Sequence, residues 1–568
     1  MKFIKSILPI VVIILLSFWT VKPLFINGFF PIHDDTQVAR VYEMTKSLKD
    51  GMFPVRWVSD LGYGYGYPIF NFYAPLAYYV GAFFQFLSFN ALAATKIMMG
   101  IGIVLSGVFM YLLGKEFWGK LGGVVSAVFY LYAPYHAVDI YVRGDVAEFW
   151  AYAFIPLAFL AFYKVYKNKG SFRWVVAGAF SYAGIILSHN LTAMMITPFI
   201  LIALLLYCYI AVKKKELYAI RYPLYAFALG LCLSAFYFIP ALSEQKYTNV
   251  LSQIGGGADF KDHFVCPLQL WQSQWGFGGS GPGCFDGVSF MIGKIHLLSA
   301  LAALVIAAAL IFRKKIKRNN EHLKIIVLSF LGLLAVAFIM LPISEPLWKS
   351  VPLMAFLQYP WRFLIMTSFF TSFLAGSLVF LSVLIFAKNK YLEYLVFGLL
   401  ALLVMIFGIK FFTPQTIFAK NVSDYVSLDM LRWDTSKISD EYMPRDFPKP
   451  TDSKDVVNQV VIFNSQDIKI NSQYQNTKGI RLNLVAAKQT KVHFNIAYFP
   501  SWKLTVDGSS RGSIVSRGYD ANITPGNHTI EMKFIQSGVE KISNAISIVG
   551  LLAIIAGIIL SKKKVIYG

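Results

Sequence analysis

Apolar runs of about 17 to 25 residues, broken by polar and basic stretches, recur through the first 411 positions and once more near the C-terminus, and a run of that length is what an α-helix needs to cross a bilayer core. They predict about twelve membrane helices, at 4–24, 93–114, 121–137, 149–166, 172–188, 191–211, 219–239, 295–312, 323–341, 363–386, 391–411 and 542–561. The first opens on the basic MKFIK and carries no small-x-small cleavage pattern, so it reads as a retained signal anchor. One stretch is ambiguous: APLAYYVGAFFQFLSF, 74–89, is short and has Pro75 near its start. Counted as a span, it would move every later basic cluster to the outside. Laid on or dipping into the outer membrane surface, it leaves KEFWGK at 115–120, KVYKNKGSFR at 164–173, KKKE at 213–216, RKKIKR at 313–318, KNK at 388–390 and SKKK at 561–564 all cytoplasmic.

This parity puts both termini in the cytoplasm and sets the outer loops at 25–92, 138–148, 240–294 and 342–362, with a large outer region at 412–541. In that last region the pattern changes period. KVHFNIAYF, KLTVDG and HTIEMKF alternate apolar and polar positions, and Asp507-Gly508 and Pro525-Gly526 are turn signals. The expected fold is therefore a polytopic α-helical membrane protein with an extracytoplasmic β-sandwich-like domain at 412–541. A final membrane helix and basic tail, 542–568, tether it. No period of 20 to 50 residues marks a repeat protein.

Composition agrees: the 568 residues are 57% hydrophobic and only 14% charged, with a mean hydropathy of +0.57. The formal charge of +22 would suit a nucleic-acid binder, but its basic residues fall in short clusters between apolar runs, and no nucleic-acid motif accompanies them. Of the four cysteines, Cys208 and Cys232 lie in apolar runs, while Cys266 and Cys284 share one polar loop. The latter two are a disulfide candidate if that loop faces an oxidising compartment, and free thiols otherwise. No Cys/His spacing suggests zinc.

With this topology most of the polar residues near the membrane gather on the outer side. They are His33, Asp34 and Asp35 in the first loop; His136, Asp139, Arg143, Asp145 and Glu148 around the second; His189 and Asn190 at a helix end; Glu244; and Arg362 in QYPWRF. A carboxylate in low-dielectric surroundings has its pKa raised toward the range of a general base, and an arginine fork matches a phosphate. Each residue also has a plainer role. Asp145 and Glu148 can offset a helix dipole, His189 can bond a neighbouring helix, Arg362 can anchor an interface, and Asp34 or Asp35 can cap the helix TQVARVYEMTKSL. The aromatic stretch LGYGYGYPIFNFYAPL offers stacking surface for a sugar or, equally, an interfacial aromatic belt.

HDDTQVARVYEM, GMFPVRW, GYGYPIFNFYAPL, YVRGDVAEFWA, LSHNLTA, QYPWRF, YFPSWKLTVDG and PGNHTIEMKF, in this order, span nearly the whole chain. Their arrangement resembles the GT-C membrane glycosyltransferases, and among them the bacterial branch labelled 6-pyruvoyl-tetrahydropterin synthase-related membrane proteins, akin to the YfhO-type proteins. The resemblance implies a GT-C-like transmembrane domain at 1–411 in a cell membrane. It also implies a polyprenyl-phosphate-sugar donor and inverting transfer to a glycan, lipid or protein acceptor on the outer face. Carried over, the first-loop acid falls on Asp34, with Asp35 adjacent, as catalytic base. The second acid falls on Asp139, Asp145 or Glu148. Candidate substrate-binding residues are His33, Arg56, Tyr141, Arg143, Asp145, Glu148, His189, Asn190 and Arg362, with Arg143 or Arg362 facing the phosphate. A divalent cation serves some members of that superfamily and not others, and the residues leave both open. The pterin-synthase label carries no chemistry here. Two rival readings are a flippase for lipid-linked glycans, which would want charge at mid-span, and a non-catalytic scaffold for the cell envelope.

Overall fold

The computed structural model describes residues 2–566 apart from 169–170, 315–316, 318–319 and 387–388. Lys169, Lys315, Arg318 and Lys388 of the basic clusters therefore lie outside the described residues. The chain is mostly helical, with a C-terminal region of antiparallel sheet. Among the described residues nine helices are long and apolar enough to cross a membrane, or ten if the bent pair Ile7–Leu16 and Phe18–Phe25 is one span. The gap between that number and the twelve predicted segments has local causes. The segments 93–114 and 121–137 belong to one helix, Ala91–Leu131, broken at Gly119, where the backbone takes φ 77° and ψ −179°. Beyond the break the arms fold back on each other: a Cβ on Gly114 would meet Ser126 Oγ at 2.8 Å and Gly123 Cα at 3.0 Å. Phe172–Ser188 is apolar but only 17 residues long. Residues 74–89 form no span, giving instead the 11-residue helix Leu76–Phe86.

The C-terminal end of Ala91–Leu131, the N-terminal ends of Val146–Lys167 and Lys294–Phe312 and the loops between them meet at one end of the bundle. The first loop is built over that end. Its helix Gln37–Lys49 buries not only Val38, Val41 and Met44 but also Arg40, Glu43 and Ser47. The Gly/Tyr-rich stretch, expected to offer a surface for sugar or membrane, is buried under residues 436–447 and the β region. Tyr63, Tyr65 and Tyr67 are 3%, 4% and 0% exposed. The Tyr63 hydroxyl donates to Asp440 at 2.7 Å, the Tyr67 hydroxyl donates to Glu441 at 3.3 Å, and Tyr65 packs edge-on against Phe447. Gly66, at φ +80°, allows this: a Cβ there would strike the Trp57 ring at 2.5 Å.

The β region holds eight strands in two antiparallel four-stranded sheets. These are β1 (Val461–Phe463), β2 (Ile468–Asn476), β3 (Gly479–Ala486), β4 (Thr490–Phe494), β5 (Trp502–Val506), β6 (Gly512–Val515), β7 (Gly518–Ile523) and β8 (Gly526–Phe534). The orders are β1-β4-β7-β6 and β2-β3-β8-β5. Alternate residues turn inward, as the period-2 pattern requires: Val492 and Phe494 from one sheet, Leu482, Leu484, Leu504, Ile530 and Met532 from the other, each at most 5% exposed. Asp507 and Gly508 both take positive φ, 49° and 77°, in the turn after β5. Residues 412–460, ahead of the strands, carry short helices and irregular chain. The region docks on the first loop, with Trp57 against Trp502 at 5.5 Å and Asp50 Oδ2 accepting from Thr477 N and Oγ1 at 2.8 and 2.6 Å.

Candidate active site

The second loop is a compact turn. Pro134–Val138 is helical, Asp139–Arg143 forms one π turn, and Gly144 closes it in the left-handed region at φ 65°. A Cβ on Gly144 would lie 2.4 Å from Ile32 Cδ1, so the residue must be small as well as left-handed. The turn aims Asp139, Arg143 and Asp145 at one point, and π turns recur at functional sites.

Arg143 is the hub. Its Nη1 donates to Asp139 Oδ1 at 2.7 Å, Glu148 Oε2 at 2.9 Å and the Tyr135 hydroxyl at 3.0 Å, and its Nη2 donates to Asp145 Oδ2 at 2.8 Å. Arg362 arrives from a distant helix start and donates to Glu148 Oε2 at 2.6 Å and Asp145 Oδ2 at 3.4 Å. The Tyr135 hydroxyl donates to Glu148 Oε1. Asp145 also caps its helix, its Oδ1 accepting from Glu148 N at 3.0 Å. His189 completes the group: ligand atoms of Asp145, Glu148 and His189 lie within 4.8 Å of one another, and His189 Nδ1 is 2.8 Å from Thr192 Oγ1.

The first loop is pinned to this turn through its backbone, His33 N and Asp34 N donating to Val142 O at 3.1 Å and Arg143 O at 3.0 Å. The two aspartates then part. Asp35 Oδ2 lies 3.7 Å from Lys420 Nζ. Neither caps the helix, whose N-cap is Thr36 without a side-chain bond. Among the described residues the Asp34 carboxylate has no hydrogen-bond or ion-pair partner. Its surroundings are nonetheless charged: burial and repulsion by Asp145 push its pKa up, against the pull of Arg40, Arg143 and Arg362. Burial and Glu148 likewise push Asp139 up. At Asp145 burial acts in the same sense, but His189 and the two guanidiniums outweigh it and hold the carboxyl below the usual range. Burial lowers His189, against the pull of Asp145 and Glu148.

Two imbalances follow. Asp34, Asp139, Asp145 and Glu148 face Arg143 and Arg362, with Arg40 acting on Asp34, leaving an excess of negative charge that protons on the raised carboxyls or a cation would offset. Two carboxylates and a neutral imidazole are a donor set suited to a divalent ion. Every oxygen of Asp145 and Glu148 already accepts a hydrogen bond, so an ion could enter only as a guanidinium or tyrosyl contact turned away. The other imbalance is Arg40, which sequence reasoning missed. It is 3% exposed, stacks 4.2 Å from the Tyr73 ring, and among the described residues hydrogen-bonds only neutral groups, Tyr78 Oη at 3.4 Å and Ser439 Oγ at 3.0 Å. Its Nε has no partner.

The remaining candidates lie outside the cluster. Arg56 is buried with Glu540 at 3.5 Å, Asn71 at 2.8 Å and Asn544 at 3.1 Å, tying the first loop to the last helix. Glu244 joins that network through Asn71 and Ser537. Tyr141 donates to Thr20 O at 2.5 Å, and Asn190 donates to Phe72 O and accepts from Tyr237. His33 is exposed, its Nε2 2.9 Å from Phe277 O. His136 is buried against Leu131 O, and burial pulls its pKa down to about 4. Cys266 and Cys284 are joined in a disulfide.

Residues 70–254 match the family model described as 6-pyruvoyl-tetrahydropterin synthase related domain, membrane protein. This is the branch that the sequence motifs resemble. Among the described residues one cluster could hold a metal, and it contains a single histidine. An uncharacterized protein of Lactococcus lactis subsp. cremoris (strain MG1363) is 25% identical over 246 residues, 42% of this chain and 39% of that protein. The chain thus matches well under half the length of that relative. Solved structures with similar folds include the oligosaccharyltransferase of Archaeoglobus fulgidus tethered to an acceptor peptide (TM-score 0.46, 14% identity, 81% of this chain and 61% of that one). The same organism's oligosaccharyltransferase AglB with an inhibitory peptide and a dolichol-phosphate gives 0.45 at 14% identity, covering 80% and 62%. The arabinofuranosyltransferase AftD from Mycobacteria gives 0.38 at 13%, covering 73% and 27%.

Proposed function

We propose that the protein is a membrane glycosyltransferase that moves a sugar from a polyprenyl-phosphate donor to an acceptor hydroxyl, with inversion, and that Asp34 is the general base. One observation carries the assignment: Asp34 holds an unpartnered carboxylate beside a buried charged cluster, where its pKa is raised. A carboxylate with a raised pKa is a stronger general base than an ordinary aspartate. Asp34 removes the acceptor hydroxyl proton, and the oxygen attacks the anomeric carbon. The bond from that carbon to the phosphate oxygen breaks on the opposite face, and its electron pair leaves with the polyprenyl phosphate. Arg143 and Arg362 are already matched by carboxylates and act chiefly to hold the acids in place. Arg40, which makes no direct ion pair among the described residues, is the guanidinium left open to meet the phosphate. A divalent cation on Asp145, Glu148 and His189 would add Lewis-acid stabilisation of the departing phosphate.

The acid cluster, the Cys266–Cys284 disulfide and the β region share one end of the bundle, while the described Lys164 and Lys167, paired with Glu116 and Glu321, lie at the other. That separation supports an extracytoplasmic site with cytoplasmic termini. The ionisable groups of the long helices lie near their ends, which counts against a flippase. The test is donor turnover in vesicles containing the purified protein and a panel of radiolabelled polyprenyl-phosphate hexoses and pentoses. Release of polyprenyl phosphate with one donor, lost in Asp34→Asn, is expected. Equal release by Asp34→Asn, or none with any donor, would remove the assignment.

A further inference from the structure

A second site lies on the far side of the second loop. A cavity of about 300 Å³ opens between the N-terminal end of Lys294–Phe312 and the C-terminal end of Lys390–Gly408, roofed by Trp271 and Gln272 and floored by Tyr132 and Pro134. The floor is fixed: a Cβ on Gly408 would meet Tyr132 Cβ at 2.9 Å and its carbonyl oxygen at 3.0 Å. Two amines stand at the rim, Lys294 and Lys410. Lys294 Nζ donates to Gln272 Oε1 at 3.1 Å and lies 5.6 Å from the Trp271 ring. Lys410 Nζ lies 5.1 Å from the Phe411 ring. Neither amine has an acidic partner among the described residues.

We propose that this cavity seats the anionic headgroup of a bilayer phospholipid, its phosphate between Lys294 and Lys410. A lysine that merely snorkels to an interface needs no cavity. Here two helices bring one amine each to the same opening, and an indole sits beside them, as at lipid headgroup level. Both helices continue away from the rim with exposed apolar residues, Leu298, Leu301 and Val305 on one and Phe407 and Leu402 on the other, 49–57% exposed. An acyl chain can lie along those faces while the phosphate meets the amines. The excess positive charge selects an anionic over a zwitterionic lipid. The floor residues Tyr132 and Pro134 lead directly into Tyr135, Asp139 and Arg143, so an occupied cavity would brace the back of the acid cluster. This assignment does not depend on the transfer reaction.

The test uses the full-length protein in neutral detergent and native mass spectrometry with phosphatidylglycerol, phosphatidylcholine or farnesyl phosphate. Phosphatidylglycerol should be retained by the native chain, and its binding should weaken roughly thirtyfold in the double variant Lys294→Gln/Lys410→Gln. Lys294→Arg/Lys410→Arg should keep it, which separates charge from folding. Phosphatidylcholine should bind weakly and equally to all three. Undiminished phosphatidylglycerol binding in the Gln variant would overturn the site. Displacement of phosphatidylglycerol by equimolar farnesyl phosphate would overturn the choice of a phospholipid in favour of an isoprenoid phosphate.

Discussion

Arg362 Nη1 lies 2.6 Å from Glu148 Oε2, joining two positions 214 residues apart in the chain. With side-chain exposures of 8% and 0%, the pair is shielded from solvent, and its partners cannot be exchanged for water at low cost. Replacing Arg362 by Ala leaves Glu148 and Asp145 to Arg143 alone. A loss of about 3–5 kcal/mol in stability is expected, read as a lowered thermal midpoint in detergent. Glu148→Gln/Arg362→Gln, which removes both charges, should lose less than the single Arg362→Ala change. Equal losses would mean that the two groups do not act as a pair.

Asp34 and Asp35 should separate cleanly in a turnover assay. Asp34→Asn removes the base and should lower turnover by about 10²–10⁴-fold. Because burial and Asp145 push its pKa up, the acid limb of the native pH profile should lie above the ordinary aspartate value near 3.9. Asp35→Asn gives up a partly exposed contact with Lys420 at 3.7 Å, which is worth about 0–1 kcal/mol of stability, and should leave turnover within a few-fold of native. Asp35→Asn matching the loss in Asp34→Asn would refute the division of roles.

Arg40 gives a binding prediction. A hydrogen bond to a charged group contributes about 1.5–3 kcal/mol, so Arg40→Gln should weaken farnesyl phosphate binding by roughly 10- to 150-fold. Arg40→Lys keeps the charge but not the fork and should fall between. Isothermal titration measures both, and native-like affinity in Arg40→Gln would return the phosphate to Arg143 and Arg362.

Several of these residues were legible in the sequence, for physical reasons. Apolar run length marks most of the membrane helices, though not the break at Gly119, and alternation marks strands such as Thr490–Phe494. Ionisable groups are confined to helix ends by the cost of burial in lipid, so Asp34, Arg143, Asp145, Glu148, His189 and Arg362 could be grouped before any geometry was known. Their pairing could not. That Arg143 reaches three carboxylates depends on a π turn and on Gly144 packing against Ile32, neither of which has a periodic signature. Arg40 sits in the first turn of its helix beside Val38 and Val41, where an arginine has no periodic signature of burial. It is covered by Tyr73 and Tyr78 and bonds Ser439, 399 residues away. Arg56 reads as substrate-binding, and Tyr67 as part of a stacking surface or interfacial belt, because their partners Glu540 and Glu441 lie far along the chain.

A divalent cation should bind where oxygen and imidazole donors converge. Mn²⁺ added to the metal-free protein should give an immobilised electron paramagnetic resonance signal, and His189→Ala should weaken binding by about 10–100-fold. An identical Mn²⁺ titration in His189→Ala would exclude that residue as a ligand.

The β region offers a pH prediction independent of the membrane site. Asp520 pairs with His493 Nδ1 at 2.6 Å and Lys491 Nζ at 2.7 Å. Burial works to raise its pKa, but those two partners prevail and hold it below the ordinary value. A carboxyl whose folded pKa is depressed stabilises the fold above its unfolded pKa, about 3.9. That contribution disappears as pH falls through the folded value. Amides of β4 and β7, which flank this contact, should therefore lose protection from hydrogen exchange in the native chain as pH drops below about 4. Asp520→Asn should show weaker protection at pH 6 and less change on acidification. An acid dependence as steep in Asp520→Asn as in the native chain would assign the transition to other carboxylates.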